Sequence, residues 1–290
     1  MPAIKHRPLV NPTKTHGGKS LLAKRIVSLF PPKCKTPNAP ESTTDGGYVS
    51  YVEPYFGGGS VLLENNPSGI SEVVSDTNKN LTNFWKVLQR NDWFLQFQRT
   101  ILFTPFSQLE WLASQNHVED EGEIERAIKF FIHCRQSLAG RGESFAPITK
   151  NRTRRGMNEQ VSAWLNCIEG MPEVHKRLIR VVILNQPALK VIQKQDGPRT
   201  LFYLDPPYLP ETRQSIGQYG EHEMLHVNHV ELLEAIDNIE GRFVLSGYRS
   251  QLYDSFAKRC GWNRVDFDVP NNASGAKLKR RMIECVWMNY

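Results

Sequence analysis

The 290-residue chain reads as an α/β protein, a seven-stranded and mostly parallel sheet of Rossmann-like type with an inserted, mainly helical module. Three observations predict this. Short apolar or alternating runs recur and end in acidic, glycine-rich or proline-rich turns, as strands do when their carboxyl ends carry ligand groups. One such run, 48–52, leads into a glycine turn and then a helical pattern, the first half of a nucleotide-binding crossover. From 77 to 138 the pattern is helical with no strand between, which breaks the strand–helix alternation and marks an insertion. At 40% hydrophobic residues the chain can bury a large core.

Residues 1–14 are polar, with prolines, and read as an extended arm. Thr15-His16-Gly17-Gly18-Lys19-Ser20 follows, then a helical pattern over 21–30 in which Leu22, Ile26, Leu29 and Phe30 share a face and Pro31 and Pro32 end the run. Gly-Lys-Ser before a helix invites comparison with a phosphate loop. That loop needs a glycine where this chain has Thr13, so nucleoside triphosphate binding is set aside. The glycine pair still exposes amides beside Lys19, a plausible anchor for a carboxylate. Residues 31–47 read as a surface loop.

The strand at 48–52 ends in Glu53-Pro54-Tyr55-Phe56-Gly57-Gly58-Gly59-Ser60, and 61–64 is helical. Glycines there let backbone approach a ligand that any Cβ would strike. A second strand, 72–75, ends at Asp76, about twenty residues after the turn, the distance of a ribose-hydroxyl acceptor. A glycine turn with an acid at that distance points to an adenosine-containing cofactor. Helices are expected over 78–98, with Leu81, Phe84, Trp85, Leu88 and Phe94 as core, over 107–116 and over 123–138. The glycine- and arginine-rich stretch 140–156 reads as a loop or short hairpin, and 157–168 as helix. The target-reading module is placed at 103–180, between a cofactor-binding part at 1–102 and the rest of the catalytic domain at 181–290. The sheet resumes with strands at 181–184, 200–204, 242–246 (leading into Gly247 and Tyr248), 265–269 and 282–288.

The apolar strand 200–204 runs straight into Asp205-Pro206-Pro207-Tyr208. Two prolines fix φ and remove two backbone donors, leaving the carbonyls of Asp205 and Pro206 to accept from a ligand. Asp205 can accept from an amine, and Tyr208 offers a flat face to a planar heterocycle. Such a turn suits an aromatic amino group.

Net charge is +6, which fits a polyanionic partner. Arg141, Lys150, Arg152, Arg154 and Arg155 stand against Glu143 alone, and Lys277, Lys279, Arg280 and Arg281 form a second basic cluster. The five cysteines are scattered without metal-ligand spacing, which suits reduced thiols in a cytoplasmic protein. No apolar run reaches the length of a membrane span, and the amino terminus lacks a signal-peptide apolar region, so the sequon at Asn272 is read as coincidence. His222, Glu223, His226 and His229 could suggest a metal site, but the segment is expected to form a mobile cover after the catalytic turn.

Taken together, Gly17-Gly18-Lys19, Glu53 to Gly59, Asp76-Thr77-Asn78, Asp205 to Tyr208, Ser246-Gly247-Tyr248 and Glu284-Cys285-Val286-Trp287 resemble, block by block and in order, the Dam-like DNA adenine-N6 methyltransferases, including variants of phages and mobile elements. The resemblance spans His16 to Tyr290 and is weakest across the target module. It implies the class I methyltransferase fold with its last strand reversed, and S-adenosylmethionine as methyl donor with no metal. It implies a cofactor site of His16, Gly18, Lys19, Glu53, Pro54, Tyr55, Phe56, Gly57, Gly58, Gly59, Asp76, Asn78 and Asp205. Lys19 would reach the methionine end and Asp76 the ribose. Asp205, Pro206, Pro207 and Tyr208 would be catalytic, acting on adenine N6 of double-stranded DNA after base flipping. Arg135, Arg141, Lys150, Arg152, Arg154, Arg155, Lys277, Lys279 and Arg280 are the candidate DNA contacts. A homodimer and a cognate restriction enzyme are partners compatible with the family. Thr15 departs from the aromatic residue usual four positions before the lysine. Cytosine-N4 or RNA-adenine methylation, and a non-catalytic DNA-binding regulator on the same scaffold, are the alternatives. A nicotinamide dehydrogenase would leave the Asp205 turn and the basic segment without a use.

Overall fold

The structure is a computed structural model that describes residues 9–14, 18–35, 46–116, 121–140, 142–146, 152–213, 220–270 and 281–290. In chain order its elements are α1 (Ala23–Val27), β1 (Ser50–Glu53), α2 (Ser60–Glu64), β2 (Ser71–Ser75), α3 (Lys79–Gln89), α4 (Asn91–Phe103), α5 (Gln108–Ala113), α6 (Glu123–Gln136), β3 (Thr153–Arg154), β4 (Met157–Asn158), α7 (Glu159–Leu178), β5 (Val182–Leu184), α8 (Ala188–Gln195), β6 (Thr200–Leu204), α9 (His226–Asp237), β7 (Arg242–Tyr248), α10 (Gln251–Cys260), β8 (Asn263–Pro270) and β9 (Arg281–Met288). They fall into two compact units, one made of residues 1–28, 57–66 and 79–183, the other of 29–56, 67–78 and 184–290.

The second unit is built on the sheet, whose strand order is β5-β2-β1-β6-β7-β9-β8. β2, β1, β6 and β7 run parallel, while β9 is antiparallel to both β7 and β8. The reversed final strand agrees with the expectation, and all seven expected strands are present. The sheet order reverses between β1 and β6, which makes their carboxyl ends a topological switch point.

Side chains alternate across a strand, and here the two faces differ in chemistry. Val52, Val73, Phe202, Leu204, Phe243, Leu245 and Trp287 point one way, into an apolar core completed by Val191 and Ile192 of α8, Leu232, Leu233 and Ile236 of α9, and Tyr253 and Phe256 of α10. The opposite face carries Glu72, Tyr51, Glu53, Tyr203, Ser246 and Glu284, all buried. Tyr51 donates its hydroxyl proton to Glu53, and Tyr203 and Ser246 share a 3.0 Å hydrogen bond. Strand 200–204 is therefore buried on both faces as its apolar run predicts, yet Tyr203 gives one of them a polar edge.

The first unit is helical, with an aromatic centre of Phe84, Phe97, Phe131 and Trp164. The predicted core residues Leu81, Phe84, Trp85, Leu88 and Phe94 are all buried. Several boundaries differ from expectation. The predicted helix at 78–98 breaks at Arg90, whose backbone is extended, because neighbours from α7 hold the break. There Gln89 donates to the Leu178 carbonyl at 3.0 Å, and His175 bridges the Leu88 carbonyl at 2.7 Å and Asn91 at 2.8 Å. The helix predicted at 157–168 begins after a hairpin that takes up Met157 and Asn158, where Asn158 caps it by accepting from Gln160. It then continues to Leu178. The helix predicted at 21–30 shortens to α1, since Phe30 leaves it to pack on Tyr51 at 5.6 Å. Residues 9–14 are not an extended arm. Asn11 donates to Ser60 at 2.7 Å, and the Lys14 ammonium to the Arg135 carbonyl at 3.2 Å. α8 and α10 were not anticipated.

Candidate active site

Three turns leave the carboxyl ends of adjacent parallel strands: Asp76 after β2, the segment from Glu53 after β1, and Asp205 after β6. At a strand spacing of about 4.8 Å, the outer two start roughly 10 Å apart.

Asp76 sits in a braced turn. Its carboxylate accepts from the Asn78 amide at 2.9 Å, and its carbonyl from the Asn185 side chain at 2.6 Å. After β1, Glu53 is buried and the Phe56 amide bonds the Ser75 carbonyl at 2.9 Å, which ties this turn to the end of β2. The chain then passes into the first unit. Gly57 and Gly59 take left-handed conformations (φ 48° and 67°), and Gly59 is the N-cap of α2. An L side chain would be strained at either, so the glycines are required by the turn itself. The indole of Trp85 donates to the Gly57 carbonyl at 3.0 Å. Sequence reasoning took Trp85 only as core, and nothing in its spacing reveals that bond. Also in the first unit, Lys19 is buried and its carbonyl receives the Leu22 and Ala23 amides, while Gly18 is exposed.

At the end of β6, Asp205 is half-buried, Pro206 and Tyr208 are buried, and Pro207 is partly exposed. Burial and then the Asp205 charge push the phenols of Tyr203 and Tyr208 well above their usual range, so both keep their protons. Tyr253 is raised by burial, by Tyr55 and by Asp205. The carboxylate of Asp205 thus stands among phenols that remain donors. Tyr208 gives its hydroxyl proton to Glu284 and meets Tyr248 edge-on at 4.7 Å between ring centres. Ser246, Gly247 and Tyr248 close β7, and Gly247 is tightly packed, since a Cβ there would lie 3.2 Å from Trp287.

The histidine segment is not a loose cover throughout. His222 contacts the Thr77 hydroxyl at 3.4 Å, but His229 lies on α9, fully buried, with Nδ1 2.9 Å from the Tyr253 hydroxyl. Among the described residues no three His, Cys, Asp or Glu side chains gather as a metal site would require.

The basic candidates separate. Arg152 and Arg154 lie exposed on the β3–β4 hairpin, the short hairpin that 140–156 suggested. Arg155, at its turn with φ 55°, is held in a two-pronged pair with Glu169 at 2.9 and 3.1 Å. Arg135 is buried and donates to the Ala163 carbonyl at 3.1 Å, an interior brace rather than a surface cation. His16, Arg141, Lys150, Lys277, Lys279 and Arg280, and the sequon at Asn272, lie outside the described residues.

A seven-stranded sheet of this order, with a reversed strand in the next-to-last position, is the class I methyltransferase fold. Residues 16–137 match the family model of the D12 class N6 adenine-specific DNA methyltransferases. The Type II methyltransferase M.MjaIII of Methanocaldococcus jannaschii is 22% identical over 301 residues, covering 96% of this chain and 98% of that protein. With these two matches beside the Dam-like motifs, the chain is similar to adenine-specific DNA methyltransferases. Among solved structures, a precorrin 8W decarboxylase from Methanobacterium thermoautotrophicum is 10% identical, with TM-score 0.33 over 88% of this chain and 95% of that one. A protein described as a candidate RNA methyltransferase from Pyrococcus horikoshii is 9% identical, with TM-score 0.33 over 93% and 96%. No helix among the described residues is long and apolar enough to cross a membrane.

Proposed function

We propose that this chain moves a methyl group from S-adenosylmethionine to N6 of adenine at a specific sequence in double-stranded DNA, with the target base turned out of the duplex. The observation that carries the reading is the placement of Asp76, the Glu53–Phe56 segment and Asp205 at the carboxyl ends of three adjacent parallel strands. The residues present fit the cofactor. Asp76, held by Asn78, suits ribose hydroxyls, and left-handed Gly57 and Gly59 leave backbone uncovered by side chains. Glu53, Pro54, Tyr55 and Phe56 belong to the same loop, and the resemblance adds Gly18 and Lys19 at the methionine end. When bound, S-adenosylmethionine supplies an electrophilic sulfonium methyl.

N6 of adenine is a poor nucleophile because its lone pair is delocalised into the ring. Asp205 and the carbonyl of Pro206 would accept hydrogen bonds from the two N–H groups of the amine, draw the lone pair out of conjugation and aim it. Positioning of this kind supplies most of the acceleration. Turning the base out costs a few kcal/mol, and stacking on Tyr208 returns about 1–3 kcal/mol of it. Arg152 and Arg154 are the proposed backbone or base contacts, and Arg135 drops out because it is buried and committed.

Transfer of labelled methyl groups to DNA tests the proposal. Asp205→Ala should bind cofactor and DNA and transfer nothing, whereas full activity in that variant would end the reading. Modification-sensitive sequencing of DNA from expressing cells gives the recognition sequence, and a cognate restriction enzyme or a homodimer can be sought once it is known.

A further inference from the structure

Stacking a base does not require the hydroxyl of Tyr208, since a phenylalanine presents the same flat face. In this structure the hydroxyl has a definite use. It donates to Oε1 of Glu284, a carboxylate only 4% exposed and 76 positions away in the chain. Glu284 lies on β9 directly opposite Tyr248 of β7 in the sheet register. The Tyr248 ring meets the Tyr208 ring at 4.7 Å and 74°. One rung of the sheet therefore holds Tyr208 twice, its hydroxyl by a carboxylate and its ring by an aromatic edge. Burying a carboxylate is costly unless it is bonded, so this is an expensive way to pack a ring and an effective way to orient one. The phenol stays protonated, because burial and the charges of Asp205 and Glu284 all oppose its ionisation. The bond is thus a fixed donor–acceptor contact in which no proton moves.

We propose that Glu284 is a positioning residue for the target base, holding the ring of Tyr208 through its hydroxyl in the plane on which the flipped adenine stacks. This rests on the reading of Asp205 to Tyr208 as the target-base turn. Glu284 does not touch the reacting atoms; it acts through Tyr208.

The test uses the full chain and a duplex bearing its recognition sequence, with 2-aminopurine in place of the target adenine. That probe brightens when it leaves the stack. Tyr208→Phe and Glu284→Ala should each weaken the fluorescence-linked binding and raise KM for unmodified DNA about tenfold, as loss of a charge-assisted hydrogen bond does, with kcat changing less. Glu284→Gln keeps an acceptor oxygen and should stay within about threefold of the parent. The double variant Tyr208→Phe with Glu284→Ala should be no worse than Tyr208→Phe alone, because the two act as one unit. If Glu284→Ala melts too early to assay, Tyr208→Phe against Glu284→Gln decides. Parent-like KM and fluorescence in Tyr208→Phe, or a Glu284→Gln as impaired as Tyr208→Phe, overturns the proposal. Asp205→Ala in the same series separates the two claims. If it is inactive while Tyr208→Phe flips the base normally, the positioning role alone fails; if it is active, the turn itself has been misread.

Discussion

Mild acid should destabilise this protein through His229. The ring is fully buried on α9, Nδ1 bonds the Tyr253 hydroxyl at 2.9 Å, and Nε2 has no hydrogen-bond partner among the described residues. Burial, helped by the charges of His226 and Arg213, lowers its pKa from 6.5 to about 4. Unfolded, the imidazole takes a proton near pH 6.5; folded, it resists until about pH 4. Between those values the unfolded state binds a proton that the folded state refuses. The contribution to stability is therefore whole above pH 6.5, falls as the pH drops, and is exhausted near pH 4. At about 1.4 kcal/mol per pH unit, the full window is worth up to about 3 kcal/mol, and about 2 kcal/mol is gone by pH 5. Urea unfolding of the parent and of His229→Gln at pH 7.5, 6 and 5 isolates this group from the carboxylates. The variant should be less stable at pH 7.5, and its deficit should shrink by about 2 kcal/mol by pH 5. Parallel pH dependences in the two proteins would refute the argument.

Trp85→Phe removes the bond to the Gly57 carbonyl and should cost about 1–2 kcal/mol of stability while weakening S-adenosylmethionine binding in calorimetry; unchanged cofactor affinity would mean that the indole does not hold the turn. Alanine at Arg152 and Arg154 should weaken binding to all DNA sequences and flatten the dependence of log affinity on log salt by about 1 for each phosphate no longer neutralised. Arg135→Ala should instead lower the melting temperature and leave that slope alone, because its guanidinium is spent on the Ala163 carbonyl. A salt slope altered by Arg135→Ala would put this side chain at the DNA surface after all.

Much of the sheet was legible in advance because strand signals are local. Apolar runs such as 200–204 and the turns that end them, Asp76, Glu53 to Gly59 and Asp205 to Tyr208, lie within a few residues of one another, and periodicity needs no more than that. The glycine turn was legible for the same reason, since left-handed backbone at Gly57 and Gly59 restricts the residue type at the position itself. Helix ends were less so. The break at Arg90 depends on His175 and Gln89 meeting groups far along the chain, and the length of α7 depends on a hairpin that consumes its expected start.

By itself, then, the sequence determined the order of strands and turns, the glycine bend and the acid–proline–tyrosine turn, because each is written in neighbouring residues. Tertiary structure alone decided that Glu284 receives the Tyr208 proton, that Trp85 braces Gly57, that His229 is sealed behind Tyr253 and that Arg135 faces inward. The physical reason is common to all four: a buried polar group must find a partner, and which partner it finds is settled by packing between segments tens of residues apart.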